Sequence, residues 1–193
     1  LQGGYIIMPS ARMGDEGEIS LGGSWVPPYH SWNARFQFLN NLELTLNYRV
    51  FRGIPDPVLS QYGFGDFSDK GANFKFALFK PEDSDYKLPG LAIGVDDFIG
   101  TCAFQSRYIV ATKAFIDYNM EATLGWGEWR IKGFFGGFSW TPFRKSCNRI
   151  LNGLTLMAEY DATNYKSQKR EPHPAGRTQR SHFNVGLQYR LWN

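Results

Sequence analysis

Alternation of apolar and polar residues with a period of two recurs along this chain and limits what it can fold into. In "HFNVGLQYRLW" (182–192), apolar residues occupy every second position from Phe183 to Leu191. The stretch "LELTLNYRVF" (42–51) alternates in the same way. Because successive side chains of a β-strand point to opposite faces of a sheet, this pattern predicts strands with one apolar face. Helical periodicity is nearly absent, so we expect an all-β protein.

Applied to the whole chain, the alternation predicts ten strands, and ten is an even number. They are expected at 16–26, 31–40, 42–51, 71–80, 90–99, 105–116, 118–127, 131–140, 151–163 and 181–192. Each is close to the length of about 9–11 residues that a tilted strand needs to cross a bilayer. We therefore predict a transmembrane antiparallel up-and-down β-barrel over 16–193, preceded by a periplasmic lead-in or plug at 1–15. The alternative is a soluble barrel or sandwich, which would bury its aromatic residues and expose its charges.

The connections between the strands predict an orientation in the bacterial outer membrane. With both termini in the periplasm, the long polar segments 52–70 and 164–180 fall on the external side, and the short turn 40–41 falls on the internal side. Long external loops and short internal turns are typical of outer-membrane barrels. Two internal connections, 81–89 and 141–150, are longer than that rule predicts. Lipid of the outer membrane is the partner that this arrangement implies.

Composition excludes several classes of function. A net charge of +3 over 193 residues is far from the basic stripe of a nucleic-acid-binding protein. The two cysteines, Cys102 and Cys147, lack the spacing of metal ligands, and we expect no metal and no cofactor. They are predicted at opposite ends of the strands, about 30 Å apart across the bilayer core, so we expect no disulfide between them.

Alternation also assigns charged residues to the interior of the predicted barrel, where a polar lumen would solvate them. The lumen-facing candidates are Glu18, Arg35, Glu43, Arg49, Lys75, Asp96, Arg107, Lys113, Glu121, Glu159, Asp161, His182 and Arg190. The outward-facing aromatic residues, several of them near strand ends as in the girdles of membrane barrels, are Trp25, Phe36, Phe38, Tyr48, Phe74, Phe76, Tyr108, Trp126, Trp140, Tyr160 and Tyr189. Closure of the barrel would bring the first and last strands together, so we predict that Glu18 and Arg190 pair across the seam.

Two groups of residues suggest activities at the external rim. Asp96, Asp97, Asp161 and His182 are expected there, and carboxylates with a histidine resemble the arrangement of omptin-type surface proteases, where they activate a water. The alternative is a cluster of salt bridges, and we predict no catalytic residues. The aromatic residues Trp32, Tyr62, Phe64 and Phe67, in or beside external loops, are candidates for stacking on sugar rings, against the alternative of loop packing or lipid contact.

Several stretches between residues 3 and 129 resemble the YjbH-type family of outer-membrane proteins associated with exopolysaccharide production. They are "GGYIIMPSARMGDEGEISLG" (3–22), "LELTLNYRVF" (42–51), "DKGANFKFALFKPED" (69–83), "LPGLAIGVDDFIGT" (88–101), "SRYIVATKAF" (106–115) and "LGWGEW" (124–129). Their order and spacing are similar to the amino-terminal barrel region of that family, whose members are usually several times longer.

The resemblance implies secretion or surface display of a polysaccharide, with other envelope proteins or lipoproteins as partners. We therefore predict a non-enzymatic outer-membrane component of exopolysaccharide secretion or cell-envelope assembly. The alternatives are an omptin-like surface protease and a structural subunit of a larger envelope complex.

Overall fold

The structure is a computed structural model of the 193-residue chain. It describes residues 4–26, 29–63, 65–148, 151–166 and 181–190. The ten strands are β1 (Ile19–Val26), β2 (Tyr29–Leu39), β3 (Leu42–Pro55), β4 (Asp66–Phe79), β5 (Gly90–Gly100), β6 (Ser106–Phe115), β7 (Met120–Trp129), β8 (Gly133–Trp140), β9 (Leu154–Tyr160) and β10 (Phe183–Tyr189). All ten predicted strands are confirmed, with the largest difference in bounds at β4.

Short 3-10 helices occur within three of the connections. They span Leu59–Tyr62, Pro81–Ser84 and Ile116–Tyr118. Within the described ranges, no helix has the length and apolar character needed to cross a membrane.

The strands form one antiparallel sheet in which each strand pairs with the next along the chain. This confirms the predicted up-and-down order. In the part of the chain that the structure describes, β1 pairs with β2 alone and β10 with β9 alone, so the sheet has two free edges and is not closed into a barrel. Alternation determines which face of the sheet each side chain occupies. Closure into a barrel depends instead on the tilt of the strands and the stagger between them, summed over the whole sheet, and alternation does not determine either quantity.

The two faces of the sheet differ in the way that the alternation predicts. On one face, the outer face, large apolar side chains are exposed, and Leu21 on β1 and Leu124 on β7 are 83% and 63% accessible. On the other, the polar face, the charged side chains of Glu43 and Lys75 are buried. A water-soluble protein shows the reverse distribution. The exposed aromatic residues predicted to face outward include Trp25, Phe38, Tyr48, Trp126, Trp140, Tyr160 and Tyr189.

Tyr108 corrects the predicted facing of β6. It lies on the polar face opposite Gly94 of β5, is buried, and packs edge-on against Phe135 with 6.3 Å between ring centroids. A Cβ at Gly94 would lie 2.3 Å from the Tyr108 ring, so only glycine leaves room for it. Because Tyr108 lies on the polar face, the residues that alternate with it along β6, including the charged ones, lie on the outer face.

Candidate functional site

Residues 4–14 cross the polar face of the sheet, and we call them the N-terminal segment. The segment has no alternating pattern and forms no strand. Its Tyr5, Met8, Ser10 and Ala11 are nevertheless buried. Buried backbone N–H groups outside a sheet need other acceptors, and here side chains of the polar face supply several of them.

Glu159 on β9 holds one end of the N-terminal segment. Its carboxylate accepts hydrogen bonds from the backbone N–H groups of Ile6, Ile7 and Met8, at 3.0, 2.9 and 3.1 Å. It also accepts one at 3.0 Å from the side-chain amide of Asn184 on β10. A buried carboxylate is tolerated only when such donors replace water, so this residue anchors the segment.

Side chains of β6 and β7 hold the middle of the segment. The Ala11 N–H donates to Thr112 Oγ1 at 2.8 Å, and the hydroxyls of Thr112 and Thr123 lie 2.7 Å apart. The Tyr5 hydroxyl lies 2.8 Å from that of Thr123 and donates to Glu121 at 3.0 Å. Burial raises the pKa of Tyr5 well above its ordinary value, so the phenol keeps its proton and remains a donor.

A network of charges holds the remainder of the segment against β2, β3 and β4. Lys75 Nζ lies 3.1 Å from the carboxylate of Glu43 and donates to the Arg12 carbonyl at 2.6 Å. Arg35 lies 3.8 Å from Glu43 and also forms an ion pair with Glu18. The hydrogen bond from the Ser20 hydroxyl, followed by the charge of Arg35, lowers the pKa of Glu18. Each of these charges therefore has a partner on the polar face.

The predicted pair between Glu18 and Arg190 is wrong for this structure. The partner of Glu18 is Arg35, its neighbour on β2. Arg190 is exposed beyond the end of β10, and its backbone N–H bonds to the Gly153 carbonyl at 3.0 Å. The physical reason is that β1 and β10 do not meet in the open sheet.

Nine of the thirteen lumen-facing candidates lie on the polar face, two lie on the outer face, and His182 and Arg190 lie just beyond the two ends of β10. The residues on the polar face are Glu18, Arg35, Glu43, Arg49, Lys75, Asp96, Glu121, Glu159 and Asp161. Arg107 and Lys113 share a face with Ile109, opposite to Ser106 and Tyr108, and their predicted facing is wrong. Apolar residues occur at both the odd and the even positions of β6, so alternation did not identify which of its side chains lie on the polar face.

Both displaced cations have partners outside the polar face. Arg107 forms an ion pair with Glu128 of β7 and lies 5.0 Å from the ring centre of Trp129. Lys113 donates to the carbonyls of Tyr86 and Lys87 in the connection between β4 and β5. The second contact ties the strand end to this longer connection.

The end of the sheet that carries the connections β1–β2, β3–β4, β5–β6, β7–β8 and β9–β10 is here called the loop end. A cavity of about 280 Å³ lies there between residues 4–9 and the strands. Its lining includes the amide side chains of Asn33, Asn47 and Asn73 and the hydroxyl of Thr163. Sequence reasoning missed these residues, although each asparagine occupies an inward position of its strand and could have been found by that parity.

Arg49 and the rings of Tyr29 and Phe104 form one wall of the cavity. The Arg49 guanidinium lies 2.9 Å from Asp69 and 4.3 Å from the ring centre of Phe104. The Phe104 ring packs edge-on against Tyr29, with 5.4 Å between centroids, and Phe51 packs against both. Because the ion pair and the ring cluster fix one another, this wall is rigid.

The four residues predicted at the external rim each bond to other groups of this chain. Asp97 accepts the Phe104 N–H at 2.7 Å, and Asp96 accepts the Ser106 hydroxyl. Asp161 accepts the Tyr165 hydroxyl at 2.6 Å. The ring nitrogen Nδ1 of His182 lies 2.7 Å from the backbone carbonyl of Asp161, not from a carboxylate. Each of these side chains is engaged in holding the loop end together.

The predicted sugar-stacking residues fall in different environments. Trp32 lies within β2 on the outer face, beside Tyr48. Tyr62 is 72% accessible in the connection between β3 and β4. Phe67 packs against Phe51 with 5.0 Å between centroids. Phe64 lies outside the described residues.

Cys102 and Cys147 are both exposed and unbonded. The expectation that they are not linked to each other is confirmed. Cys102 lies at the loop end, between β5 and β6, and Cys147 lies at the opposite end, between β8 and β9. The two thiols therefore mark the two ends of the sheet. Among the described residues, no group of side chains is arranged to hold a metal ion.

The sheet and the N-terminal segment together define an all-β, up-and-down protein. One face of its sheet is apolar and exposed, and the other is charged and covered by the segment. The chain matches the family YjbH, described as "Exopolysaccharide biosynthesis protein YbjH", over residues 1–133 and 131–193. It belongs to the YjbH family, as the resemblance noted from the sequence implied.

This chain spans about a third of the length of a curated relative. The chain is 29% identical to the "Uncharacterized lipoprotein YjbH" of Escherichia coli (strain K12), over an alignment that is 220 residues long including its gaps. The alignment covers 97% of this chain and 30% of that relative. No solved structure matches the chain.

Proposed function

We propose that this chain is an outer-membrane β-barrel component of exopolysaccharide secretion or cell-envelope assembly, and that it acts without catalysis. The observation that carries the proposal is the inverted distribution of side chains in a member of an exopolysaccharide family. The outer face exposes Leu21 and Val185 at 83% and 84%, while Glu43, Lys75 and Glu159 are buried. Lipid is the solvent in which such an outer face is stable.

The free edges of the sheet supply a reason for partners. In hydrocarbon, each unpaired backbone N–H or C=O costs several kcal/mol, so β1 and β10 need hydrogen-bonding neighbours in a bilayer. They find these in each other or in strands of another envelope protein. The relative's description as a lipoprotein supports a location in the cell envelope.

The N-terminal segment suggests what the chain contributes to secretion. Residues 4–14 are held on the polar face by Glu159, Thr112 and Lys75. In the proposed barrel, the segment would therefore plug the interior. Passage of a polymer requires a wider assembly or release of the segment. We therefore infer that the chain serves as one subunit or region of a larger complex.

A non-enzymatic role is favoured over a surface protease by the contacts at the loop end. Asp97, Asp161 and His182 are each engaged by backbone groups or hydroxyls of this chain. A general base needs its lone pair aimed at a substrate or a water. We assign these three residues to holding the loop end.

Labelling of the two natural cysteines tests the proposed location and orientation. A Cys147→Ser variant keeps only Cys102, and a Cys102→Ser variant keeps only Cys147. With a membrane-impermeant maleimide on intact cells, we expect labelling of Cys102 alone, and labelling of both after the outer membrane is permeabilised. Equal labelling of the two on intact cells would contradict the proposal.

The secretion role is tested separately in a deletion strain. We expect the deletion to reduce secreted exopolysaccharide and both serine variants to restore it. A deletion strain that secretes normally would remove the exopolysaccharide role even if the labelling result stands.

A further inference from the structure

We propose that the cavity at the loop end is a binding site for a short, neutral saccharide. This proposal rests on the proposed role in exopolysaccharide secretion. The cavity measures about 280 Å³, which is near the lower end of ligand-binding pockets. That volume suits a short stretch of a sugar chain. Its floor is residues 4–9 of the N-terminal segment, and its walls come from β1 to β6 and from the connections β5–β6, β7–β8 and β9–β10.

Two buried polar atoms in the lining point to a ligand. The hydroxyl of Thr163 belongs to a side chain with 0% exposure, and it has no hydrogen-bond partner among the described residues. The amide nitrogen of Asn47 is also buried without a partner within the same ranges. A buried polar atom left without a hydrogen bond costs about 1–3 kcal/mol. Both residues line the cavity, so one ligand that supplies hydroxyl groups can satisfy the two.

The backbone around Thr163 is fixed before any ligand arrives. Its N–H donates to Asp161 at 2.8 Å, and the Asn164 N–H donates to the Arg130 carbonyl at 3.0 Å. Thr163 also forms an isolated β-bridge with Ile131. Asn47 lies within β3, opposite Asn33 on β2 and Gly71 on β4. Groups held on paired strands lose little entropy when they bind.

The chemistry of the lining distinguishes a saccharide from other ligands. Sugar hydroxyls both donate and accept, which matches the side-chain amide of Asn47 and the hydroxyl of Thr163. Sugar ring faces are apolar, and the rings of Tyr29 and Phe104 line the same cavity. A phosphate group needs an available cation, whereas Arg49 is paired with Asp69. The guanidinium of Arg130, the other arginine in the lining, lies over the rings of Phe104 and Tyr165. An acyl chain would leave the amides and hydroxyls unsatisfied.

Saturation-transfer NMR on the purified protein in detergent micelles tests the site. The probes are cellobiose and short fragments released from the host's exopolysaccharide by mild acid hydrolysis. The site variants are Asn47→Leu and Thr163→Val, which remove the two polar groups and keep the side-chain size. We expect each variant to weaken binding about tenfold, which corresponds to loss of one hydrogen bond. Because Asn47 Nδ2 and Thr163 Oγ1 have no hydrogen-bond partner within the described ranges, we expect the variants to unfold at or above the wild-type temperature.

The matched controls are Asn152→Leu and Thr155→Val at the opposite end of the sheet. Thr155 bonds through its hydroxyl to Thr141, away from the cavity. We expect both controls to bind the probes as the wild type does. Absence of any saturation transfer to the wild type overturns the proposal, and so does unchanged binding by the site variants or equal loss in the controls. A failed binding result leaves the cysteine labelling and secretion results intact, so the two proposals fail separately.

Discussion

Glu43 and Lys75 face each other directly across β3 and β4, with 3.1 Å between carboxylate and ammonium and 1% exposure of each side chain. The same ammonium donates to the Arg12 carbonyl, so the pair joins the sheet to the N-terminal segment. Removal of Glu43 leaves the Lys75 ammonium buried without a carboxylate, whereas removal of Lys75 leaves Glu43 with the more distant Arg35, at 3.8 Å.

Loss of one member of this pair should destabilise the protein strongly. We expect Glu43→Leu alone to lower the free energy of unfolding by about 3–5 kcal/mol, since it leaves the buried Lys75 ammonium without a carboxylate. Lys75→Met alone should lower it by less, because Arg35 remains 3.8 Å from Glu43. The double variant should recover most of that loss because both charges are gone. Urea unfolding in lipid vesicles, followed by tryptophan fluorescence, measures the three values. A double variant as unstable as the sum of the singles would show that the two residues are not coupled.

Glu159 should control how tightly the N-terminal segment is held. In Glu159→Gln the charge is lost, and one of the two oxygens that accept the Ile6, Ile7 and Met8 N–H groups becomes a donor. Hydrogen bonds to a charged group contribute about 1.5–3 kcal/mol each, so we expect trypsin to cleave after Arg12 at least about tenfold faster.

Glu128→Gln is the matched control for that cleavage. Glu128 pairs with Arg107 on the outer face and does not contact the segment. Its variant should be cleaved at the wild-type rate. Equal acceleration in the two variants would mean that cleavage reports general loosening of the sheet.

A charge on the outer face should be tolerated in water and not in lipid. Leu124 is 63% accessible in the middle of β7, whereas Leu151 lies in the connection before β9. We expect Leu124→Arg to lower the stability in lipid vesicles by about 2–4 kcal/mol at the bilayer midplane, and Leu151→Arg to change it little. Equal tolerance of both arginines would argue that the outer face does not contact lipid.

Glu18 should contribute stability that depends on pH. The Ser20 hydroxyl and Arg35 lower the pKa of Glu18 in the folded state below its unfolded value. Its stabilisation is therefore fully present above the unfolded pKa and is lost as the pH falls through the folded pKa. We expect the stability difference between wild type and Glu18→Gln to disappear in acid. Arg190→Glu should leave this difference unchanged, because Arg190 does not contact Glu18.

Local alternation was sufficient to predict the strands and most of their facing. In β3, the residues Glu43 and Thr45 alternate with Leu42 and Leu44, and the structure places the two pairs on opposite faces. The same rule failed for β6, where Ile109 and Val110 are both apolar. There the deciding factor was Gly94 on a neighbouring strand, which accommodates the Tyr108 ring.

Long-range relationships could not be predicted from the pattern. The contact between Glu159 and the N-terminal segment joins residues 151–153 positions apart, and no local signal marks either partner. The open edges of β1 and β10 are also a property of the whole sheet. The candidate cavity was missed because its asparagines are unremarkable within each strand and become neighbours only after β2, β3 and β4 pair.

The anchoring of the N-terminal segment by Glu159 has a consequence for the order of assembly. Ile6, Ile7 and Met8 are synthesised before the strands, but their acceptor belongs to β9 and becomes available only when most of the sheet exists. Closing so long a loop is slow, because its entropy is lost before the contact forms. The N-terminal segment is therefore placed late, after β9 has formed, although it precedes every strand along the sequence.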